Sequence, residues 1–232
     1  MQYFGGKQRI ASKIAGIVGP FAARSGKYLE PFVGGASVMS LIRANVRIGS
    51  DANVALINMW LALESGWMPP DTISEEEYFA IKSKNDHKDP LTAFAGFGCS
   101  FAGKWFGGYA RGGERRNYAK NAASSLKKKM LGLSGVEWNA ADYRHCKIPK
   151  GAVVYCDPPY AETTPYGAVG AFKSEEFWQW CIDLHKSGNV VFVSEYTAPP
   201  QFDVCLTVET TTDIRTKTGR AVRKEKLFIM RG

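Results

Sequence analysis

Asp157-Pro158-Pro159-Tyr160 sets a carboxylate, a stiff turn with free carbonyls and an aromatic face side by side. The tetrad follows Ala152-Val153-Val154-Tyr155-Cys156, a short apolar run with the character of a buried strand. Open α/β sheets bind ligands outside the carboxyl ends of their strands, so a polar tetrad there is placed to line a cleft. Proline fixes its own φ and brings no N–H donor, which leaves acceptors beside the Asp157 carboxylate. Two acceptors and a ring suit a planar base held through its exocyclic amino group. The plainer alternative is a strand-ending turn, for which Asp and Pro are ordinary choices.

A second group lies upstream. Lys27-Tyr28-Leu29-Glu30 reads as a strand and runs into Pro31-Phe32-Val33-Gly34-Gly35-Ala36. Ser37 to Ala44 is apolar at helical spacing, and Val46-Arg47-Ile48-Gly49-Ser50 reads as a second strand closed by Asp51. Strand, glycine turn, helix, strand and acid make a βαβ unit of nucleotide-binding type. Glycines let the backbone approach a ligand. The expected helix N-terminus can receive an anion, and Asp51 can accept hydrogen bonds from ribose hydroxyls. Gly-Gly alone marks only a turn; its pairing with Asp51 carries the argument.

Other elements must hold these groups in place. A helix is expected from Ser12 toward Phe21, another from Asn53 to Leu63, and an amphipathic one from Glu175 to Lys186. Gly188 introduces a buried strand, Asn189 to Ser194, while Val204 to Val208 and Lys226 to Met230 form a closing antiparallel pair. Sheet character also appears at Val136-Glu137-Trp138, ending near Asp142-Tyr143. The pattern changes after Trp67-Met68-Pro69-Pro70. Ser74 and Glu77 have capping-box spacing, Phe94 to Gly113 mixes glycine, aromatics and cations, and Asn117 to Leu131 reads as a basic helix. Residues 1–64 and 134–232 are therefore expected to form one α/β domain, split by an insertion at 65–133.

The chain has 232 residues, 45% hydrophobic and 22% charged, as a globular protein should. No apolar run is long enough to span a bilayer, and the N-terminus lacks the apolar stretch of a signal peptide, so a cytoplasmic location is expected. Cys99, Cys146, Cys156, Cys181 and Cys205 form no CxxC pair, and His87, His145 and His185 lack ligand spacing; no metal site is expected. Scattered cysteines of odd number fit reduced thiols. A net charge of +8 favours a polyanionic partner such as nucleic acid. Lys104, Arg111, Arg115, Arg116, Lys120, Lys127, Lys128 and Lys129 share one stretch; Arg215, Lys217, Arg220, Arg223, Lys224 and Lys226 make another.

Taken in order, Tyr3-Phe4-Gly5-Gly6-Lys7, Glu30-Pro31-Phe32-Val33-Gly34-Gly35 and Asp157-Pro158-Pro159-Tyr160 resemble the Dam-type (D12 class, α-group) DNA adenine-N6 methyltransferases. The resemblance extends to Ser194-Glu195-Tyr196 and to Arg220-Ala221-Val222-Arg223-Lys224, and is weakest in the insertion. It implies a Rossmann-like S-adenosylmethionine-dependent methyltransferase fold: a mostly parallel seven-stranded sheet with a closing antiparallel strand and a small, mostly helical insertion. It implies S-adenosylmethionine as cofactor, held by Tyr3, Lys7, Glu30, Phe32, Gly34, Asp51, Asp142, Tyr143 and Asp157. Asp157, Pro158, Pro159 and Tyr160 would hold a flipped-out adenine in double-stranded DNA. The insertion would recognise the target, with Lys104, Trp105, Tyr109, Arg111, Arg115 and Arg116 as expected DNA contacts. A bacterial or phage origin and a separate restriction endonuclease would suit such an enzyme. The family's glycine motif often reads Phe-x-Gly-x-Gly; here the last position is Ala36, which the resemblance leads us to expect is tolerated.

Other readings stay open on these residues. Asp157-Pro158-Pro159-Tyr160 also suits methylation of cytosine N4 or of RNA. A catalytically inactive DNA-binding relative is a further alternative, although it would have no need of Lys7, Asp51, Asp157 and Tyr160 together. The insertion's aromatics can equally form a small core, Lys127-Lys128-Lys129 a solvated helix face, and the Ala161 to Ala171 loop either a closing flap or a plain connector.

Overall fold

The computed structural model describes residues 1–113, 116–159, 172–216 and 219–231. Arg115, Tyr160, the Ala161 to Ala171 loop and Lys217 lie outside them, as do the side chains of Arg215, Arg220 and Arg223. The sheet has seven strands: β1 (Lys27–Glu30), β2 (Val46–Asp51), β3 (Glu137–Ala140), β4 (Val153–Cys156), β5 (Val190–Glu195), β6 (Phe202–Thr216) and β7 (Gly219–Met230). Their order is β3-β2-β1-β4-β5-β7-β6. The first five are mutually parallel, and β7 runs antiparallel to both β5 and β6. This is the mostly parallel, antiparallel-closed sheet expected of the methyltransferase fold.

The central strands are nearly continuous apolar runs because both faces are covered; β4 is buried at every position. Helix α1 (Ala11–Ser25) buries Ile14, Val18 and Ala22, one stripe at four-residue spacing, and stops where Gly26 turns left-handed at φ 71. In α2 (Val54–Glu64) the Asn53 side chain accepts from the Leu56 N–H, an N-cap that fixes the helix start just beyond Asp51. Helix α6 (Ser174–Lys186) covers the other face through Phe177 and Cys181. No helix among the described residues is long and apolar enough to cross a membrane.

Between α2 and β3 come α3 (Glu75–Lys84), α4 (Pro90–Ala93), a π-helical turn at Phe94–Gly98 and α5 (Tyr118–Met130). The Ser74–Glu77 capping box forms as expected. Tyr78, Phe94, Phe97 and Leu126 join Trp60 and Tyr28 in one continuous apolar cluster, so this segment is packed onto the sheet's own core.

One expected element is corrected. Ser37 to Ala44 does not form a helix; only a three-residue 3-10 turn, Met39–Leu41, is present. Val38, Met39 and Ile42 are nonetheless all buried in the one apolar core, held there without a helix. The chain just after α5 lies against the Ser40 carbonyl so closely that a Cβ on Gly132 would stand 2.0 Å from it. Arg47 further ties the Ile42 carbonyl (3.4 Å) to the Gly132 carbonyl (2.6 Å). The glycine turn thus opens no helix of useful length, and the anticipated helix-terminus anion site falls away.

Gly49 in β2 makes a close aromatic fit. Trp138 stacks on Trp60 with centroids 5.3 Å apart, and a Cβ on Gly49 would meet the Trp138 ring at 2.8 Å and Val33 at 3.2 Å. Gly49→Ala is expected to destabilise the protein by about 1–3 kcal/mol, through overpacking. A lower urea midpoint at unchanged m-value would show this; an unchanged midpoint would mean the ring moves aside freely.

Candidate active site

Asp157 leaves the carboxyl end of β4 and meets Lys7, carried in by the N-terminal segment. The Lys7 Nζ lies 2.6 Å from Asp157 Oδ1 and 2.9 Å from Glu225 Oε1, and also donates to the Gly5 carbonyl at 3.2 Å. Only 3% of the Lys7 side chain is exposed, against 19% for Asp157 and 15% for Glu225. Burial alone would pull the Lys7 proton off; the two carboxylates overcome it and hold its pKa above the ordinary lysine value. Burial pushes Asp157 up to about 6, a rise that Lys7 opposes and Glu225 reinforces.

Glu30 closes β1 almost wholly buried and accepts from the Tyr28 hydroxyl at 2.7 Å. Burial drives its pKa up to about 8 against the pull of that hydrogen bond, with Asp157 adding to the rise. Tyr155 on β4 shares a hydrogen bond with Ser194 on β5 at 2.8 Å, which locks the floor beneath Asp157.

The glycine turn is held from below. Gly34 N–H donates to Asp51 Oδ2 at 3.0 Å and Asn53 N–H to Oδ1 at 2.9 Å, while Trp60 Nε1 donates to the Gly34 carbonyl at 3.1 Å. Burial pushes Asp51 up to about 6 in spite of the two amide bonds. Gly34 sits at φ 45 with the Tyr3 ring where a side chain would be: a Cβ there would stand 2.8 Å from Tyr3 Cε1. Ala36 also takes a positive φ, 49, a conformation that glycine adopts without strain. The departure noticed in sequence is therefore a left-handed position occupied by a side chain, fully buried.

Phe32 rests against Tyr143, with centroids 5.3 Å apart. Asp142 is engaged locally: its carboxylate caps the Arg144 N–H at 3.0 Å and pairs with the Arg144 guanidinium at 2.7 Å, which draws its pKa down. Asp51 at the end of β2, the Phe32–Tyr143 ring pair and the glycine turn are suited, in donor and ring chemistry, to a ribose, an adenine and a short amino-acid chain. A carboxylate oxygen that accepts one amide retains a lone pair for a hydroxyl.

Of the residues expected at DNA, Lys104 lies over the Phe4 ring at 4.8 Å. Trp105 packs on Phe97 and Phe106, with centroids 4.8 and 4.9 Å away. The Tyr109 hydroxyl donates to the Ile73 carbonyl at 2.7 Å. Arg111 is exposed and paired with Glu75, its Nε 3.0 Å from Oε2, and Arg116 covers the Tyr118 ring at 4.6 Å. Two site residues were not anticipated. Glu225 stands in a strand whose neighbours are basic, and only the alternation along β7 marks it. Lys129, at the end of α5, donates to the Gly35 carbonyl of the glycine turn.

Residues 3–93 match the family model of the D12 class N6 adenine-specific DNA methyltransferases. That stretch holds Tyr3, Lys7, Glu30, Phe32, Gly34 and Asp51, and ends before Asp157. No curated protein matches the chain in sequence. Among solved structures, the chain is similar to SMU.472, a candidate methyltransferase complexed with SAH, at 12% identity and TM-score 0.26. The alignment covers 78% of this chain and 54% of that one.

The electrostatics can be checked directly. By carboxyl-selective NMR titration, Asp157 should titrate near 6 in the native chain. Lys7→Met should raise that value, by removing the cation that opposes burial, and Glu225→Gln should lower it. A titration indifferent to both changes would place Asp157 outside this cluster.

Proposed function

Starting from the D12 class adenine-methyltransferase signature in residues 3–93, we propose that the chain transfers a methyl group from S-adenosylmethionine to N6 of an adenine flipped out of double-stranded DNA. The observation that carries this reading is the Lys7–Asp157 pair at the end of β4. It joins the N-terminal motif to the Asp157-Pro158-Pro159-Tyr160 tetrad, with the glycine turn and Asp51 supported alongside.

S-adenosylmethionine, when bound, supplies an electrophilic methyl group on a sulfonium. Phe32, Tyr143, Gly34, Asp51 and Glu30 are the residues that would hold it, with Tyr3 behind the glycine turn. The remaining work falls to the chain. An adenine amino nitrogen is a poor nucleophile because its lone pair is delocalised into the ring. Asp157 accepts one amino hydrogen and the Pro158 carbonyl the other, which favours a pyramidal nitrogen with its lone pair localised. Orientation then supplies much of the acceleration. Lys7 keeps Asp157 ionised inside a low-dielectric site, so that it accepts rather than donates.

The target nitrogen is shielded in a duplex, and extrusion of the base costs a few kcal/mol. Tyr160, as the resemblance implies, offsets part of that cost by stacking, worth about 1–3 kcal/mol. Lys104 and Arg116, on the insertion, are suited to phosphate contact. Arg111 would first have to give up Glu75.

The test is methyl transfer from labelled S-adenosylmethionine to unmethylated genomic DNA, followed by nucleoside analysis. N6-methyladenine is the expected product, and Asp157→Ala should lower the single-turnover rate at least about 100-fold. The active form needs Asp157 deprotonated, so the rate should fall as pH drops through about 6. N4-methylcytosine as product would overturn the choice of base, and undiminished transfer by Asp157→Ala the mechanism.

A further inference from the structure

The lysine triplet at the end of α5 is not one surface. Lys127 and Lys128 are exposed, whereas Lys129 is turned inward. The buried face of α5 runs through Ala119, Ala122, Ala123 and Leu126, and the next position on that face is Lys129. A lysine at an apolar position needs a partner for its ammonium. Here it has several: Nζ donates to the Gly35 carbonyl and lies 3.2 Å from the Ser37 hydroxyl, and the Glu30 carboxyl favours its charge.

We propose that Lys129 is a positioning residue of the cofactor site, pinning the glycine turn from the insertion side rather than contacting DNA with its neighbours. This rests on the reading of that turn as the S-adenosylmethionine site. The turn has particular need of such a clamp. It opens no helix, so no helical hydrogen-bond ladder fixes its carbonyls, and Ala36 holds a left-handed conformation just beyond it. Gly34 is fixed through its N–H by Asp51 and through its carbonyl by Trp60. Gly35 offers its carbonyl to Lys129. A Cβ on Gly35 would come within 3.1 Å of Tyr3 and 4.0 Å of Lys129 Nζ, so the turn is enclosed between the N-terminal segment and α5. Burial draws the Lys129 pKa down to about 8, with Glu30 opposing, as fits a cation spent on internal contacts.

Two binding measurements separate this role from a DNA contact. SAH affinity is read by calorimetry, and the affinity for a mixed-sequence duplex is read across a salt series. Lys129→Met should weaken SAH binding about tenfold, because a buried carbonyl loses its donor, and should leave the salt slope for DNA unchanged. Lys127→Ala and Lys128→Ala should do the reverse, each flattening the salt slope by about 1 while SAH affinity holds. Ser37→Ala, which keeps the lysine, should weaken SAH binding less, and non-additively with Lys129→Met. Native SAH affinity in Lys129→Met, or a flattened salt slope in that variant, overturns the proposal. If Lys129→Met does not fold, native SAH affinity in Ser37→Ala overturns it instead. Failure of the unaltered protein to bind SAH would defeat the functional reading itself.

Discussion

The arrangement turns on one buried ammonium. Lys7 keeps only 3% of its side chain in contact with solvent, and such a charge is tolerable only when it is fully partnered. Two partners come from distant parts of the chain, Asp157 at the end of β4 and Glu225 on β7, and the Gly5 carbonyl adds a local one. Meeting them draws the N-terminal segment across the carboxyl edge of the sheet and fixes where β7 must lie. The same cation settles the state of Asp157. Burial strengthens every electrostatic contact of that carboxylate but also favours its neutral form; Lys7 offsets the second effect while leaving the first.

The insertion helps to deliver Lys7. Phe4 N–H donates to the Gly103 carbonyl at 3.0 Å, and Lys104 lies over the Phe4 ring. Gly103, at φ 67, allows the backbone of Gln2 and Tyr3 to approach to within 2.9 Å of where a Cβ would stand. Trp105 and Tyr109, whose rings pack inward, brace this contact. A region expected to read DNA is thus also the mount for the segment that carries Lys7 to Asp157.

Much of the scaffold was legible because buried parallel strands are short apolar runs. β1, β2, β4 and β5 fall where those runs lie, and Asn53 and the Ser74–Glu77 pair cap the helices they precede. The misread helix at Ser37 to Ala44 shows the limit of periodicity. Buried side chains at helical spacing also describe an irregular buried segment, and the Gly132–Ser40 contact against it is long-range. Asp51 and Asp157 stood out by residue type and order and Lys7 through the family resemblance, which pointed to a cofactor contact and not to its pairing with Asp157 and Glu225. Glu225 and Lys129 did not, because each sits in a run of cations where local charge gives the sign of a surface and hides the one residue that points inward. For Lys129 the signal was present: it continues the Ala119–Ala122–Leu126 spacing onto a face where lysine does not belong.

The buried acids divide the labour around the tetrad. Glu30 and Asp157 interact unfavourably as anions, yet their environments separate them: burial pushes Glu30 up to about 8, and Asp157, with Lys7 opposing, only to about 6. The cation that opposes the rise at Glu30 is Lys129, whose ammonium also donates to the Gly35 carbonyl. Burial thus favours the neutral form of Glu30 more strongly than that of Asp157, which has Lys7 beside it. A second anion there would push Asp157 toward its neutral form and undo what Lys7 achieves. A fully available ammonium beside Glu30 would favour its ionised form and set a second negative charge against Asp157.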